Sequence, residues 1–318
     1  MLTNSFAGLS LRDMEYAVAV ADLGHFGRAA DRCGVSQAGL SEQIRKLEAL
    51  LGTALFERTT RRIAVTPAGE VLLQQAREVL GAARVLVEMA RSRPDPLCGV
   101  LRLGVIATLG PYYLPGLLRE VRARFPQLEL RLQEGLTDRL KRALLNGELD
   151  LVLLALPLQA DGTVAEPLFF EPFQAVLPIG HTLAAQPCLR LQDLADEGLL
   201  LLEEGHCLRD QALALCGLAR PGRDTRYASS LEMLRHMIAA GEGHSLLPLL
   251  AVRDRGELAG LARVRDLEGE VGRIIGLAWR GSDPRIAAFR DLAQFLRGTA
   301  PDGTRAVEPA SLTKPVPV

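Results

Sequence analysis

The sequence has few aromatic residues, almost no net charge and no long apolar run. Aromatic side chains make up 4% of the 318 residues, with a single tryptophan, so aliphatic packing must form the cores. The formal net charge of −1 gives no general electrostatic reason to bind nucleic acid or a membrane. No apolar run approaches the ~18 residues of a membrane span, and residues 1–11 lack the pattern of a secretory signal. We therefore expect a cytoplasmic protein whose binding sites depend on local features.

The five cysteines form an odd set, which argues against a disulfide framework. In a reducing compartment, a cysteine pair is more often catalytic, sensory or metal-binding than structural. No spacing among the cysteines and histidines resembles a zinc site, so we expect no metal and no cofactor. The length exceeds that of one typical domain, so two or more folded units are expected.

Residues 9–66 have the pattern of a small helical DNA-binding domain. Apolar residues recur at helical spacing in three groups between Leu11 and Leu51. Between the second and third groups, Gly34 favours a left-handed turn and Ser36 can cap the next helix, which predicts a helix-turn-helix. The β-prone residues 55–66 surround a basic turn and predict a two-stranded wing.

The second helix of such a motif places its N-terminal side chains in the major groove, while nearby cations neutralise phosphates. Glutamine suits adenine edges and arginine suits guanine edges. The wing adds a small local excess of positive charge to a chain that has none overall. The predicted DNA-binding residues are Ser36, Gln37, Ala38, Ser41, Gln43, Arg45, Arg58, Arg61 and Arg62.

Residues 67–94 are predicted to form a dimerising linker helix. Thr66 can cap its start, and Pro67 suits the first helical position. From Leu72 to Ala90, apolar residues follow a 4-3-4 spacing, which is the seam of a coiled coil and needs a partner helix. The alternative is a helix that packs on its own domain.

Residues 97–300 alternate strands and helices, which predicts an α/β fold with a mostly parallel sheet. A segment of about 200 residues can form two α/β lobes with a cleft between them. The residues after Gly298 are rich in Pro, Thr and Ala without periodicity, so we expect residues 301–318 to be a disordered tail.

Cys207 and Cys216 flank a segment that favours helix. If it is helical, their Cα atoms lie ~13 Å apart, whereas a disulfide needs them within ~7 Å, so bridging requires the helix to unwind. Such a bond is a two-state element of the kind that a switch requires. Arg209, His206 and a helix start would stabilise a Cys207 thiolate, the form that attacks peroxide, and the sulfenic acid could condense with a second thiol. On spacing alone, two buried cysteines acting as small hydrophobes are the alternative.

Motifs along most of the chain resemble the LysR-type transcriptional regulators. The N-terminal matches are residues 25–30, 35–37, 40–41, 47–48, 51–52, 55–58 and 66–69. Residues 204–212 with Cys216, together with residues 108–112, 230–232 and 246–248, resemble the peroxide-sensing branch of that family. The resemblance implies a winged helix-turn-helix, a dimerising linker helix and a two-lobed effector domain similar to periplasmic binding proteins, assembled as homotetramers. Ala38 departs from the family, which often has proline there.

The resemblance also implies residue roles and partners. Cys207 would be the peroxidatic cysteine and Cys216 the resolving one, with peroxide bound by Thr108, Thr137, His206 and Arg273. Without the resemblance, the two threonines would be helix caps and Arg273 a surface charge. The implied partners are double-stranded promoter DNA, RNA polymerase, hydrogen peroxide as the signal and a cellular thiol reductant. We therefore predict a regulator of antioxidant genes that is not an enzyme. The alternatives are a LysR-type regulator that binds a small metabolite between its lobes, and a thiol peroxidase.

Overall fold

The computed structural model of the chain describes residues 8–58, 63–91, 97–158, 160–194, 198–218, 225–253 and 260–309. The chain divides into two compact units, and the N-terminal unit ends near residue 92. Within the described ranges, no helix has both the length and the apolar character needed to cross a membrane.

The N-terminal unit contains helices α1 (Leu11–Leu23), α2 (Phe26–Cys33), α3 (Gln37–Leu51) and α4 (Pro67–Arg91), and strands β1 (Phe56–Arg58) and β2 (Ile63–Val65). The predicted turn is present, because Gly34 has φ of 66° and ends α2, and the Ser36 hydroxyl accepts from the Gly39 N–H at 3.1 Å. In α1 the buried face is formed by Tyr16, Ala17 and Val20, whereas Leu11 at the start of the helix is exposed.

The start of α4 is fixed to the wing by backbone contacts. The Thr66 hydroxyl donates to the Ala54 carbonyl at 2.7 Å and accepts from the Gly69 N–H at 2.8 Å, as an N-cap. A Cβ on Gly69 would lie 2.3 Å from the Leu55 carbonyl oxygen, so only glycine fits this crossing. The motif Thr-Pro-Ala-Gly therefore sets where α4 leaves the hairpin.

The C-terminal unit contains strands and helices in mixed order, with two short 3₁₀ helices at Thr182–Ala185 and Leu191–Leu194. Its strands are β3 (Gly99–Ile106), β4 (Leu128–Gly135), β5 (Leu151–Leu156), β6 (Thr163–Pro178), β7 (Cys188–Leu189), β8 (Leu201–Leu202), β9 (Tyr227–Ala228), β10 (Ser245–Pro248), β11 (Ala262–Leu267), β12 (Gly272–Arg280) and β13 (Arg305–Ala306). Its helices are α5 (Gly110–Arg124), α6 (Thr137–Leu145), α7 (Cys207–Leu215), α8 (Leu231–Ala239), α9 (Leu249–Arg253) and α10 (Ile286–Gly298).

The main sheet is mixed rather than mostly parallel. Its order is β4-β3-β5-β12-β6-β11-β7, with β10 and β13 also paired to β6. Strand β3 runs parallel to β4 and β5, whereas β12 is antiparallel to β5 and β6. The prediction of a mostly parallel sheet was wrong because a returning strand, β12, is inserted between β5 and β6.

Strand β6 runs through both of the predicted lobes. Its first half pairs with β12, and its second half pairs with β10 and β11. The first lobe has a core that includes Leu168 and Phe169 of β6, and the second lobe has a core that includes Phe173 and Val176. A further cluster in the second lobe contains Leu177. The two-lobed α/β arrangement predicted from the sequence is confirmed.

The prediction that residues 301–318 form a disordered tail was wrong for residues 301–309. Arg305 and Ala306 form β13, which pairs with Phe170 and Phe169 of β6. Val307 is buried, and its N–H donates to the Leu168 carbonyl at 3.0 Å. One apolar side chain and an open strand edge order this segment, which has no periodicity of its own. Residues 310–318 lie outside the described residues.

Candidate functional site

The two cysteines singled out by the sequence lie at opposite ends of α7. Cys207 is the first residue of this helix, and Cys216 is its C-cap, with a backbone N–H that donates to the Ala212 carbonyl at 3.0 Å. Both are free thiols, as are the other three cysteines. Because α7 is helical throughout, helix geometry places the two Cα atoms ~13 Å apart, about twice the reach of a disulfide.

The two thiols also belong to different cores. Cys207 is partly exposed and packs against the hydrophobic core of the first lobe. Cys216 is buried in a second-lobe cluster that contains Ala175, Leu201 and Ala212. Burial raises the pKa of the Cys216 thiol to about 11, so in this conformation it is a protonated, weakly nucleophilic group. A bond between the two sulfurs therefore requires Cys216 to leave its core.

The residues next to Cys207 are placed by a tight turn. Gly205 has φ of 93° and lies against Leu136, since a Cβ there would be 3.0 Å from the Leu136 Cδ1. His206 is buried and stands at the N-cap of α7, where its side chain makes no capping hydrogen bond. The N–H groups at the start of α7 give the Cys207 position a helix N-terminus, which favours negative charge.

Arg209, the cationic neighbour expected to stabilise a Cys207 thiolate, makes two contacts of its own. Its guanidinium pairs with Glu204 at 3.1 Å and lies 5.7 Å from the centroid of the Tyr227 ring. Glu204 thus balances the charge of Arg209, whose guanidinium also contacts Tyr227 of β9. Arg209 thus links α7 to β9 in the second lobe, and its effect on the Cys207 thiol stays a prediction.

Thr108 and Arg273 lie together in a buried polar cluster. Arg273 donates to the Thr108 hydroxyl at 2.8 Å and to the Thr108 carbonyl at 3.0 Å. Its Nε donates to Glu171 at 2.9 Å, and the second oxygen of Glu171 accepts from the Leu250 N–H at 3.1 Å. Arg273 is 2% exposed, so the surface-charge alternative is excluded. The Thr108 side chain is likewise not a helix cap, because α5 is capped by Leu109 without a side-chain hydrogen bond.

The cluster lies where the chain crosses between lobes. Glu171 is on β6 between the residues of the two cores, Arg273 is near the start of β12, and Thr108 lies in the turn that follows β3. Thr137 begins α6, one residue after the Leu136 that contacts Gly205. The described hydrogen bonds join Thr108 to Arg273 but do not link either of them to Thr137, His206 or Cys207. Of the four predicted peroxide-pocket residues, the structure thus pairs Thr108 with Arg273, and the shared pocket stays a prediction.

In the helix-turn-helix, the start of α3 is open to solvent. Ser36, Gln37 and Ala38 are exposed, and so is Arg45, which pairs with Glu42 at 3.1 Å. Ser41 and Gln43 are partly buried, because they flank the face formed by Leu40, Ile44 and Leu47.

The wing is joined to α3 by Glu48. Its carboxylate accepts from the N–H groups of Leu55 and Phe56 at 2.9 and 3.2 Å, at the start of β1. Arg58 ends β1. Arg61 and Arg62, predicted to contact DNA, lie outside the described residues.

The family models match both parts of the chain. Residues 11–70 match the bacterial regulatory helix-turn-helix protein of the lysR family, and residues 94–301 match the LysR substrate binding domain. A curated relative from Escherichia coli K12, the DNA-binding transcriptional dual regulator OxyR, is 44% identical over 290 residues, which cover 91% of this chain and 95% of the relative. The chain belongs to the OxyR group of the LysR family.

OxyR proteins from other bacteria are similar to this chain in sequence and in structure. A probable hydrogen peroxide-inducible genes activator from Mycobacterium avium is 42% identical over 88% of this chain and 90% of the relative. Among solved structures, a full-length OxyR from Pseudomonas aeruginosa with cysteine replaced by aspartate has a TM-score of 0.73 and 40% identity, over 91% of this chain and 95% of that one. A hydrogen peroxide-bound cysteine-to-serine mutant of Corynebacterium glutamicum OxyR has a TM-score of 0.61 and 35% identity, over 91% and 92%.

Membership of the OxyR group confirms the fold and the LysR resemblance drawn from the motifs. The helix-turn-helix is the DNA-binding part of the chain. Sequence reasoning missed Glu171, which holds Arg273, although a single acidic residue within the apolar run from Leu168 to Phe173 was a usable signal. It also missed Glu48 as the support of the wing.

Proposed function

We propose that the chain is a DNA-binding transcriptional regulator that senses hydrogen peroxide through Cys207 and activates antioxidant genes. Oxidation forms a Cys207–Cys216 disulfide that remodels the regulatory unit. The observation that carries the proposal is the pair of thiols at the two ends of one nine-residue helix. Because the helix must unwind before they meet, the oxidation state of the thiols is coupled to the shape of the second lobe.

The chemistry proceeds in two balanced steps. The Cys207 thiolate attacks one oxygen of hydrogen peroxide, the S–O bond forms as the O–O bond breaks, and the leaving hydroxide takes a proton to become water. The Cys216 thiol then loses its proton and attacks the sulfenic sulfur, forming the S–S bond and releasing the second oxygen as water. Two electrons pass from the thiols to peroxide. Of the buried polar groups, Thr108 and Arg273 offer a hydroxyl and a cation that can hold the oxygens and the developing negative charge.

The alternative function, binding of a small metabolite between the lobes, finds less support. A metabolite with a carboxylate or phosphate group needs a cation to bind it, and Arg273 is one buried cation where the lobes meet. Its guanidinium already bonds Glu171 and both oxygens of Thr108. An anionic metabolite would compete with Glu171 for this guanidinium, whereas neutral hydrogen peroxide brings no net charge into the cluster.

We also propose the assembly and partners of the chain. Helix α4 exposes Val79, Leu86 and Val87, of which Leu86 is 68% exposed, so a second copy of this helix is the expected occupant of its seam. The dimer would present two α3 helices to a double-stranded promoter, and two dimers would form a tetramer. The further partners are RNA polymerase, for activation of the genes, and a cellular thiol reductant, which restores the two thiols. Sedimentation of a Leu86→Glu chain tests the dimer, which should dissociate.

The proposal predicts one stoichiometric oxidation per subunit. Mass spectrometry of the thiols after one equivalent of peroxide should show a Cys207–Cys216 disulfide, and the footprint on promoter DNA should change in parallel. A thiol peroxidase would instead consume peroxide continuously when supplied with reductant, beyond about one equivalent per subunit.

Cys207→Ser should abolish both responses, and Cys188→Ser, which alters a partly buried thiol outside α7, should leave both unchanged. A peroxide-dependent change of footprint in Cys207→Ser would overturn the proposal. Saturable binding of a metabolite by calorimetry, with both thiols still reduced after peroxide, would favour the alternative.

A further inference from the structure

A cluster of hydrogen-bonded side chains, separate from the two cysteines of α7, joins the two lobes. The Tyr112 hydroxyl, on α5 of the first lobe, donates to Glu232 on α8 of the second lobe at 2.5 Å. Glu232 also accepts two bonds from Arg235, at 2.9 and 2.8 Å. The Arg235 guanidinium lies 5.9 Å from the centroid of the Tyr112 ring. We call these three residues the lobe latch.

The hydrogen bond of the lobe latch joins a neutral donor, the Tyr112 hydroxyl, to a charged acceptor, the Glu232 carboxylate. Burial and the bond to Glu232 raise the pKa of Tyr112, so its hydroxyl keeps the proton that it donates. Burial alone would raise the pKa of Glu232, but the hydrogen bond from Tyr112 and the charge of Arg235 lower it overall. The ring of Tyr112 packs against the cores of both lobes. The latch is therefore a contact that depends on how the lobes are set against each other.

Unwinding of α7 affects the lobe latch because α7 packs against α8, the helix that carries Glu232 and Arg235. Leu208 of α7 is buried in the same cluster as Leu231 and Leu234 of α8. Arg209 of α7 lies over Tyr227, and β9 leads directly into α8. When α7 unwinds to release Cys216, both contacts are lost, and the surface that supports α8 changes. If a shift of one ångström along this bond separates the two oxygens, their distance becomes 3.5 Å, outside the usual range for O–H···O hydrogen bonds.

We propose that Tyr112 is a positioning residue whose bond to Glu232 holds the lobes in the dithiol arrangement and so sets the redox potential of the Cys207–Cys216 pair. The proposal rests on the function proposed above, because it needs a disulfide to measure. The latch is made in the dithiol form and broken in the disulfide form. Removing it therefore favours the disulfide without changing either sulfur.

The test is the equilibrium of full-length protein with mixtures of reduced and oxidised glutathione. In that reaction the protein dithiol and one glutathione disulfide give the protein disulfide and two glutathione thiols, so the equilibrium constant reads the potential directly. Tyr112→Phe removes only the hydroxyl. We expect it to raise the equilibrium constant for disulfide formation about tenfold, which lowers the reduction potential by about 30 mV.

The adjacent tyrosine supplies a matched control. Tyr113 is on the same helix, is 4% exposed, and its hydroxyl has no hydrogen-bond partner in the described part of the chain. Tyr113→Phe makes the identical chemical change and should leave the potential within about threefold of wild type in the equilibrium constant. A thermal melt of the dithiol forms checks that both variants fold.

The outcomes separate the two proposals. If wild-type protein forms no Cys207–Cys216 disulfide with glutathione or peroxide, the proposed function fails. If the wild type forms it and Tyr112→Phe matches the wild-type equilibrium, or shifts it no more than Tyr113→Phe does, the lobe latch is not a determinant of the potential. A shift toward the dithiol in Tyr112→Phe would also overturn the proposal.

Discussion

The stability of α7 should itself oppose the disulfide, and one exposed residue allows this to be measured. Ala214 is exposed near the C-terminal end of α7. Replacing it with glycine removes a methyl group that packs against little else and gives the unfolded segment more freedom. In the dithiol state the change destabilises a helix, whereas in the disulfide state that helix is already unwound.

The magnitude follows from helix propensity. Glycine costs up to about 1 kcal/mol relative to alanine in a helix interior, and somewhat less near an end, so about 0.5–1 kcal/mol applies to Ala214→Gly. Since RT is about 0.6 kcal/mol, the equilibrium constant for disulfide formation should rise about two- to fivefold, and the reduction potential should fall by about 10–20 mV. The assay is equilibration with glutathione followed by trapping of the thiols and mass spectrometry.

The control is the same substitution at a matched site. Ala123 is exposed and is the penultimate residue of α5, as Ala214 is of α7. Ala123→Gly should lower the thermal stability of the unit to a similar extent and leave the redox equilibrium unchanged. An unchanged equilibrium in Ala214→Gly, or an equal shift in both variants, would refute the argument that α7 must unwind.

Three further predictions concern stability and thiol access. Asp150 is fully buried. Burial alone would raise its pKa, but the hydrogen bonds from Arg102 and the charge of Arg285 lower it overall. The carboxylate therefore stabilises the fold above its unfolded pKa of about 3.9, and this stabilisation is lost as the pH falls. Asp150→Asn should therefore cost about 3–5 kcal/mol at pH 7 in urea unfolding, with a difference from wild type that shrinks below about pH 4. Gly69→Ala should destabilise the N-terminal unit and weaken DNA binding because of the close Leu55 carbonyl, whereas Gly116→Ala, with open space around its Cβ position, should stabilise α5 by about 0.5–1 kcal/mol in thermal melts. Because Cys216 is buried with a pKa of about 11, iodoacetamide at pH 8 should label it far more slowly than Cys207 in native protein, and equal labelling would contradict the buried position.

Local signals in the sequence predicted the DNA-binding motif well. Gly34 and Ser36 act on their own neighbours, so their roles could be derived from chain geometry alone. The same reasoning failed for Arg273, because its partner Glu171 lies 102 residues away in sequence. Only the family resemblance placed Arg273 in the site, and the reason for its burial became visible in the sheet register.

Strand β6 shows why the sheet was harder to predict. Prolines at 167 and 172 argue against a strand by local rules, yet both lie within β6. In the structure these prolines pair with Gly276 and Gly272 of β12. A Cβ on Gly272 would come within 2.8 Å of the Pro172 Cα, so the close approach of these two strands at Pro172 requires glycine on the facing strand. The paired proline and glycine lie about 100 residues apart in sequence, so the hydrophobic periodicity of either segment cannot predict their pairing.

The separation of the two thiols orders the events of the switch. Cys207 is partly exposed, so peroxide can oxidise it while α7 stays helical and both cores stay intact. The second step requires Cys216 to leave a core in which burial suppresses its thiolate. Oxidation of Cys207 is therefore local, whereas formation of the disulfide carries the conformational change. Perturbations of α7 stability should alter the rate of the second step and leave the rate of sulfenic acid formation unaffected, because only the second step depends on unwinding.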